Sequence, residues 1–142
     1  MTGRATAFPV GLAIALAGLL LGEAAAAKPG TPGPDYFTGT YQRIGRSGGA
    51  EPGLIDDKVA IAPDGDRVTI RGCTGPETLM GFGPAFEIVN LMTGQQAGIG
   101  VECLFHNNGY NRPILTCQTQ DGAAWTLWPT SFGGPGAPLV CG

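Results

Sequence analysis

The chain has few of the side chains that do chemistry. It contains one histidine, His106, and its only serines are Ser47 and Ser131. A Ser-His-acid triad would have to recruit one of those serines, and neither stands in the strand-turn-helix setting of a Gly-x-Ser-x-Gly nucleophile. Charge is equally thin: 13% of residues are Asp, Glu, Lys or Arg, and the formal net charge is −3. The cations Arg4, Lys28, Arg43, Arg46, Lys58, Arg67, Arg71 and Arg112 are scattered. No basic stripe or polybasic tail exists to hold a phosphate backbone, so nucleic acid is not an expected partner. Phosphate-cradling loops are missing too, since the glycines of "GFGPA" and "GGPGAP" are interrupted by proline and match neither a P-loop nor a dinucleotide fingerprint. No cofactor is expected. Outside the first residues, no run carries apolar residues at three- and four-residue spacing, which excludes a helical bundle or coiled coil.

What is present begins with an address. Arg4 is followed by the uncharged run Phe8 to Leu21 and then by "GEAAAAK". A cationic start, an apolar segment and an Ala-x-Ala site have the form of a secretory signal over residues 1–27, cut after Ala26 or Ala27. The apolar run is about 14 residues, short of the roughly 20 that a membrane-spanning helix needs. No later segment is apolar enough to span a membrane, and no cysteine near the cut suggests a lipid anchor. Cleavage leaves about 115 residues, enough for one domain with a modest core. The expected location is periplasmic or secreted.

All four cysteines, Cys73, Cys103, Cys117 and Cys141, lie in the exported part. In an oxidising compartment an even number points to two disulfides. A zinc site would need close thiolates such as Cys-x-x-Cys, which the chain lacks, so no metal is expected.

The mature chain reads as all-β: about 7–8 strands in a small antiparallel meander, closed as a barrel or folded as a sandwich. Residues 28–35, "KPGTPGPD", read as a flexible tether, and residues 36–142 as one disulfide-braced domain. "YFTGTYQRIGR" suits a strand. "KVAIAPDGDRVTIRGC" predicts a hairpin around Pro63-Asp64-Gly65-Asp66, with Ile61 opposite Val68 and Val59 opposite Ile70. "TGPETLMGFGPA" reads as an irregular connection, with Leu79–Met80 the one place for a short helix. A second hairpin runs from "FEIVNLM" through "TGQQ" to "AGIGVECLF". The third sets Phe105 against Leu115 and therefore Cys103 against Cys117, with Ile99 and Val101 facing inward. "AAWTLWP" forms a last strand, in which Trp125 and Leu127 point inward and Trp128 outward.

Four cysteines allow three connectivities. The register favours Cys103–Cys117, which leaves Cys73 to pin the tail through Cys141; sequential pairing, Cys73–Cys103 with Cys117–Cys141, is the competitor. The longer loop would contribute about 4 kcal/mol in the chain-entropy description.

Carboxylate pairs are the remaining route to chemistry. Adjacent strand residues point to opposite faces, so Asp56 and Asp57 do not converge. "PDGD" has the residues of a tight turn and lacks the further acids of a calcium loop. Recognition is then the leading expectation. The connection "HNNGYNRP" places His106, Asn107, Asn108, Tyr110, Asn111 and Arg112 together, and Tyr and Arg with adaptable Asn suit a protein-binding surface. Trp128 joins them as an outward aromatic.

The opening "FTGTY" resembles the Gly-x-Trp start of lipocalins, with Tyr41 in the tryptophan's place. A bridge from barrel to C-terminal segment, such as Cys73–Cys141, is similar to that group as well. The resemblance implies a barrel that carries a small apolar ligand inside. Three functions follow in order: a non-enzymatic module binding an exported or cell-surface protein, for example as an inhibitor of an exported hydrolase; a lipocalin-like carrier; and, last, a small hydrolase using His106 or Asp57.

Overall fold

A computed structural model describes residues 32–83, 86, 90–107, 113–131, 139 and 141. One helical turn, α1 (Pro34–Phe37), precedes eight strands: β1 (Gly39–Arg46), β2 (Leu54–Asp64), β3 (Arg67–Gly72), β4 (Thr78–Phe82), β5 (Leu91–Gln96), β6 (Ile99–Asn107), β7 (Pro113–Thr119) and β8 (Ala124–Pro129). Each strand pairs with the next, and β8 pairs back onto β1, so the meander closes as a barrel. The closing register runs from Tyr41↔Pro129 to Arg46↔Ala124. Closure leaves no sheet edge, which settles the choice between barrel and sandwich.

Alternation builds the interior. Val59 and Ile61 face inward from β2, Val68 and Ile70 from β3, and Thr78 and Met80 from β4, all at most 3% exposed. Met92, Val101, Leu115 and Leu127 meet them from the other side, at most 2% exposed. Eight strands enclose a space just wide enough for such side chains to fill. Inward glycines tighten the packing. A Cβ on Gly94 would stand 1.9 Å from the Leu79 carbonyl oxygen and 2.7 Å from the Met80 sulfur, so only glycine allows β5 to approach β4 this closely. Gly45 takes the same role beneath Trp125, whose Cα would lie 2.5 Å from such a Cβ.

One end of the barrel is closed by aromatic rings. Phe37, fully buried, sits among Tyr36, Phe82, Phe86 and Phe105 with ring centroids 5.3 to 6.4 Å apart. Most of these contacts are edge to face, the arrangement that brings a ring's positive edge to its neighbour's negative face. The Tyr41 hydroxyl, pointing up inside the barrel, donates to the Phe37 carbonyl at 2.7 Å and ties the plug to the wall. Tyr41 at the resemblance position is therefore a plug anchor.

The opposite end is polar. Arg43 faces inward and grips Asp57 through two hydrogen bonds, Nε to Oδ1 at 2.8 Å and Nη2 to Oδ2 at 2.6 Å. Asp56 points outward, where its carboxylate accepts from Gln42 at 2.5 Å, so the adjacent acids diverge as alternation requires. The β1–β2 loop packs down on the β7–β8 turn: a Cβ on Gly48 would meet the Asp121 carbonyl oxygen at 2.7 Å, and Gly49 N–H donates to that oxygen.

The disulfides are Cys103–Cys117 and Cys73–Cys141. The first joins directly paired residues of β6 and β7, and the register Phe105↔Leu115 holds as expected. Several local expectations are corrected. In the first hairpin Ile61 pairs with Ile70 and Pro63 with Val68, a shift of two residues that leaves every inward face unchanged. The cause is a tighter turn, Gly65-Asp66, with Gly65 at φ 62°, the first central position at which two-residue hairpins take glycine. Residues 78–82 are strand β4, neither connection nor helix, because Thr78 and Met80 each fill an interior position. "TGQQ" belongs to β5; the turn is Ala97-Gly98, with φ of 48° and 82°. α1 begins at Pro34, two residues ahead of the expected boundary of the domain, and residues 28–31 lie outside the described residues.

Two turn and packing positions make a contrasted test. Ala97 holds a left-handed conformation that disfavours a Cβ, so Ala97→Gly should stabilise by about 0.5–1 kcal/mol. Gly94→Ala forces atoms into backbone and should cost about 3 kcal/mol or more. Urea unfolding of both variants checks the pair; an Ala97→Gly protein weaker than wild type, or a neutral Gly94→Ala, would contradict this packing.

Candidate functional site

Of the residues expected to form a contact surface, His106 and Asn107 end β6, while Asn108, Tyr110, Asn111 and Arg112 lie outside the described residues. His106 is exposed on the outer wall, and its Nε2 lies 3.4 Å from the Thr116 hydroxyl. The Asn107 amide donates to the Tyr36 hydroxyl at 3.2 Å, which fastens this strand end to the aromatic plug. His106 pairs with Ile114. Continuing the β7–β8 register by one residue sets Ile114 beside Trp128. The structure thus brings Trp128 to the same end of the same wall as His106, two strands or about 10 Å away.

Trp128 is 49% exposed, whereas Trp125 and Leu127 are buried inside. Alternation assigned those directions correctly. On β6 and β1 two further apolar side chains stand outside with Trp128: Leu104, 49% exposed, and Ile44, 46% exposed; Leu54, on the neighbouring β2, and Ile99, at the start of β6, are exposed as well. Leu104, Thr116, Thr126 and Ile44 follow one another across β6, β7, β8 and β1 by direct pairing. The result is an outward row about 14 Å wide at the usual strand spacing. Leu104 and Ile44 were missed by a reading that looked for function in loops. The signal was available, since Leu104 shares its outward parity with Glu102, and Ile44 with Gln42.

Beside this row the wall is indented twice. One depression of 380 Å³ lies over Gly100 and is flanked by Thr93, Gln95, Gln118 and Gln120. A second, of 240 Å³, is bordered by Leu91, Leu104, Thr116 and Ala124. Glu102 and Gln118 border both. Gln118 donates to the Glu102 carboxylate at 3.3 Å, and no cation stands within ion-pair distance of Glu102 among the described residues.

His106 and Asp57, the candidates for hydrolysis, are not brought together. His106 is outside, next to the plugged end, while Asp57 is inside the polar end and is held by Arg43. Among the described residues no group of three or more His, Cys, Asp or Glu side chains is placed to hold a metal ion, and no helix is long and apolar enough to cross a membrane. No protein-family model, curated protein or solved structure matches this chain.

The two tryptophans report the two sides of the wall. Acrylamide should quench the emission of a Trp125→Phe variant, which retains Trp128, several-fold more efficiently than that of Trp128→Phe. Trp128→Ser should shift stability by no more than about 0.5 kcal/mol, as an exposed substitution does. Equal quenching of the two variants would place Trp128 under cover.

Proposed function

We propose that the protein is an exported, non-enzymatic interaction module that binds a partner protein with the outer wall of β6, β7, β8 and β1 and the adjoining 106–113 connection. The observation that carries this reading is the exposed row of Leu104, Ile44 and Trp128 on a barrel whose inward residues are packed against one another. Exposed aromatic and aliphatic side chains grouped on one face are the features that make a protein surface adhesive. Two disulfides and the signal-like leader support export. A rigid braced barrel also holds such a face ready at low ordering cost. Inhibition of an exported hydrolase is one role that fits a rigid module.

Site-specific photocrosslinking tests the face. A benzophenone side chain at position 128 or 110, in protein exported by its native host, should yield one discrete adduct that is absent when the probe stands at position 69, on β3 across the barrel from β7. Adducts that are equally abundant at position 69, or absent at 128 and 110, would overturn the proposal.

A further inference from the structure

The two depressions beside the apolar row meet at Glu102 and Gln118, which border both, and the chemistry of this groove is graded along β6. Gly100, Glu102 and Leu104 are alternate, outward residues of that strand. At about 3.4 Å per residue the run from Gly100 to Leu104 is about 14 Å, four steps of an extended chain. At one end, Leu91 pairs with Leu104, and Ala124 adds apolar surface. In the middle stands Glu102, the one charged residue bordering either depression among the described residues. At the other end, Gln95, Gln118 and Gln120 surround Gly100, whose missing side chain leaves the dip; a Cβ there would lie 2.8 Å from the Gln120 side chain.

We infer that this groove seats an extended segment of a partner protein carrying an aliphatic residue and, two positions away, a lysine or arginine. The inference rests on the proposed interaction function and specifies the partner's chemistry. Charge complementarity supplies the cation, since among the described residues the carboxylate of Glu102 has a neutral amide as its hydrogen-bond partner and no ion-pair partner. Spacing supplies the motif: in an extended chain, residues two apart face the same side about 6.8 Å apart, which matches the step from Leu104 to Glu102. The glutamines offer both donors and acceptors to the segment's backbone. Strand addition is not available, because a closed barrel has no free edge, so side chains must hold the segment. Among the described residues the groove has no aromatic side chain on which a sugar ring or nucleobase would stack.

The test is an NMR titration of the oxidised protein with the blocked peptide Ac-Thr-Leu-Thr-Lys-Thr-NH2. Controls are the peptide with Leu and Lys adjacent and the peptide with Lys replaced by Glu. The expected result is saturable shifts at the amides of residues 91–95, 100–104 and 116–120, with affinity about tenfold lower for both control peptides and for Glu102→Gln. Gly100→Val, which fills the dip and suits a strand, should weaken the peptide as well. Both substitutions are on the outer wall, and unchanged spectra elsewhere will verify their fold. No shift at millimolar peptide, equal binding of the three peptides, or undiminished binding by Glu102→Gln would overturn the inference. Those results would leave the proposed function standing if position 128 still crosslinks to a partner, and its failure would leave a spacing-dependent peptide site intact.

Discussion

The pairing of β1 with β8 is the constraint on which everything else rests. Six residue pairs, from Tyr41↔Pro129 to Arg46↔Ala124, convert a sheet with two open edges into a cylinder. An open meander of this length would expose two ladders of unpaired backbone groups and one whole apolar face. Closure turns that face into a core that includes Val59, Ile61, Met80, Met92, Leu115 and Leu127. It also fixes which residues are outside, so that Leu104, Ile44 and Trp128 share one wall although 84 residues separate the first and last in sequence.

Each end of the cylinder is handled by different chemistry. The aromatic plug around Phe37 covers one mouth, and Tyr41 binds that plug to the strand that closes the barrel. The other mouth accepts a charge pair because Arg43 and Asp57 satisfy each other with two parallel hydrogen bonds close to solvent. Cys103–Cys117 braces two strands that are already neighbours, whereas Cys73–Cys141 ties the end of the chain back to the segment after β3. The inside of this barrel is thus occupied by its own structure, and the chemistry left over faces outward.

Much of the fold was legible because alternation is a strong signal. Setting Phe105 opposite Leu115 was enough to bring Cys103 to Cys117, and through it to leave the correct second bridge. The directions of Trp125, Leu127 and Trp128 followed from parity alone. Turn placement was harder to read. Asp64 extends β2 and pairs with Arg67, so the first hairpin moved by two residues, an even slip that preserves the faces. β4 was hidden by the glycines and prolines around it, although Thr78 and Met80 alternate inward. The Ala97-Gly98 turn carried half a signature: Gly98 suits its positive φ, while alanine at positive φ is held by the hairpin around it. The candidate surface was half legible. The exposure of His106 and Trp128 followed from position and parity, while the groove around Glu102 depends on pairing among four strands and on a missing side chain at Gly100.

The central claim is that the interior is structural and the outer wall does the binding. Methyl NMR of the oxidised protein under xenon pressure tests it directly, because xenon enters apolar cavities large enough to hold it and perturbs the methyl groups that line them. The account predicts no shift for Met80, Met92, Leu115 and Leu127, with any response confined to Leu91 and Leu104 on the outer groove. Saturable shifts of the inward methionine and leucine methyls would reveal a ligand-sized cavity and return the barrel to the role of a carrier.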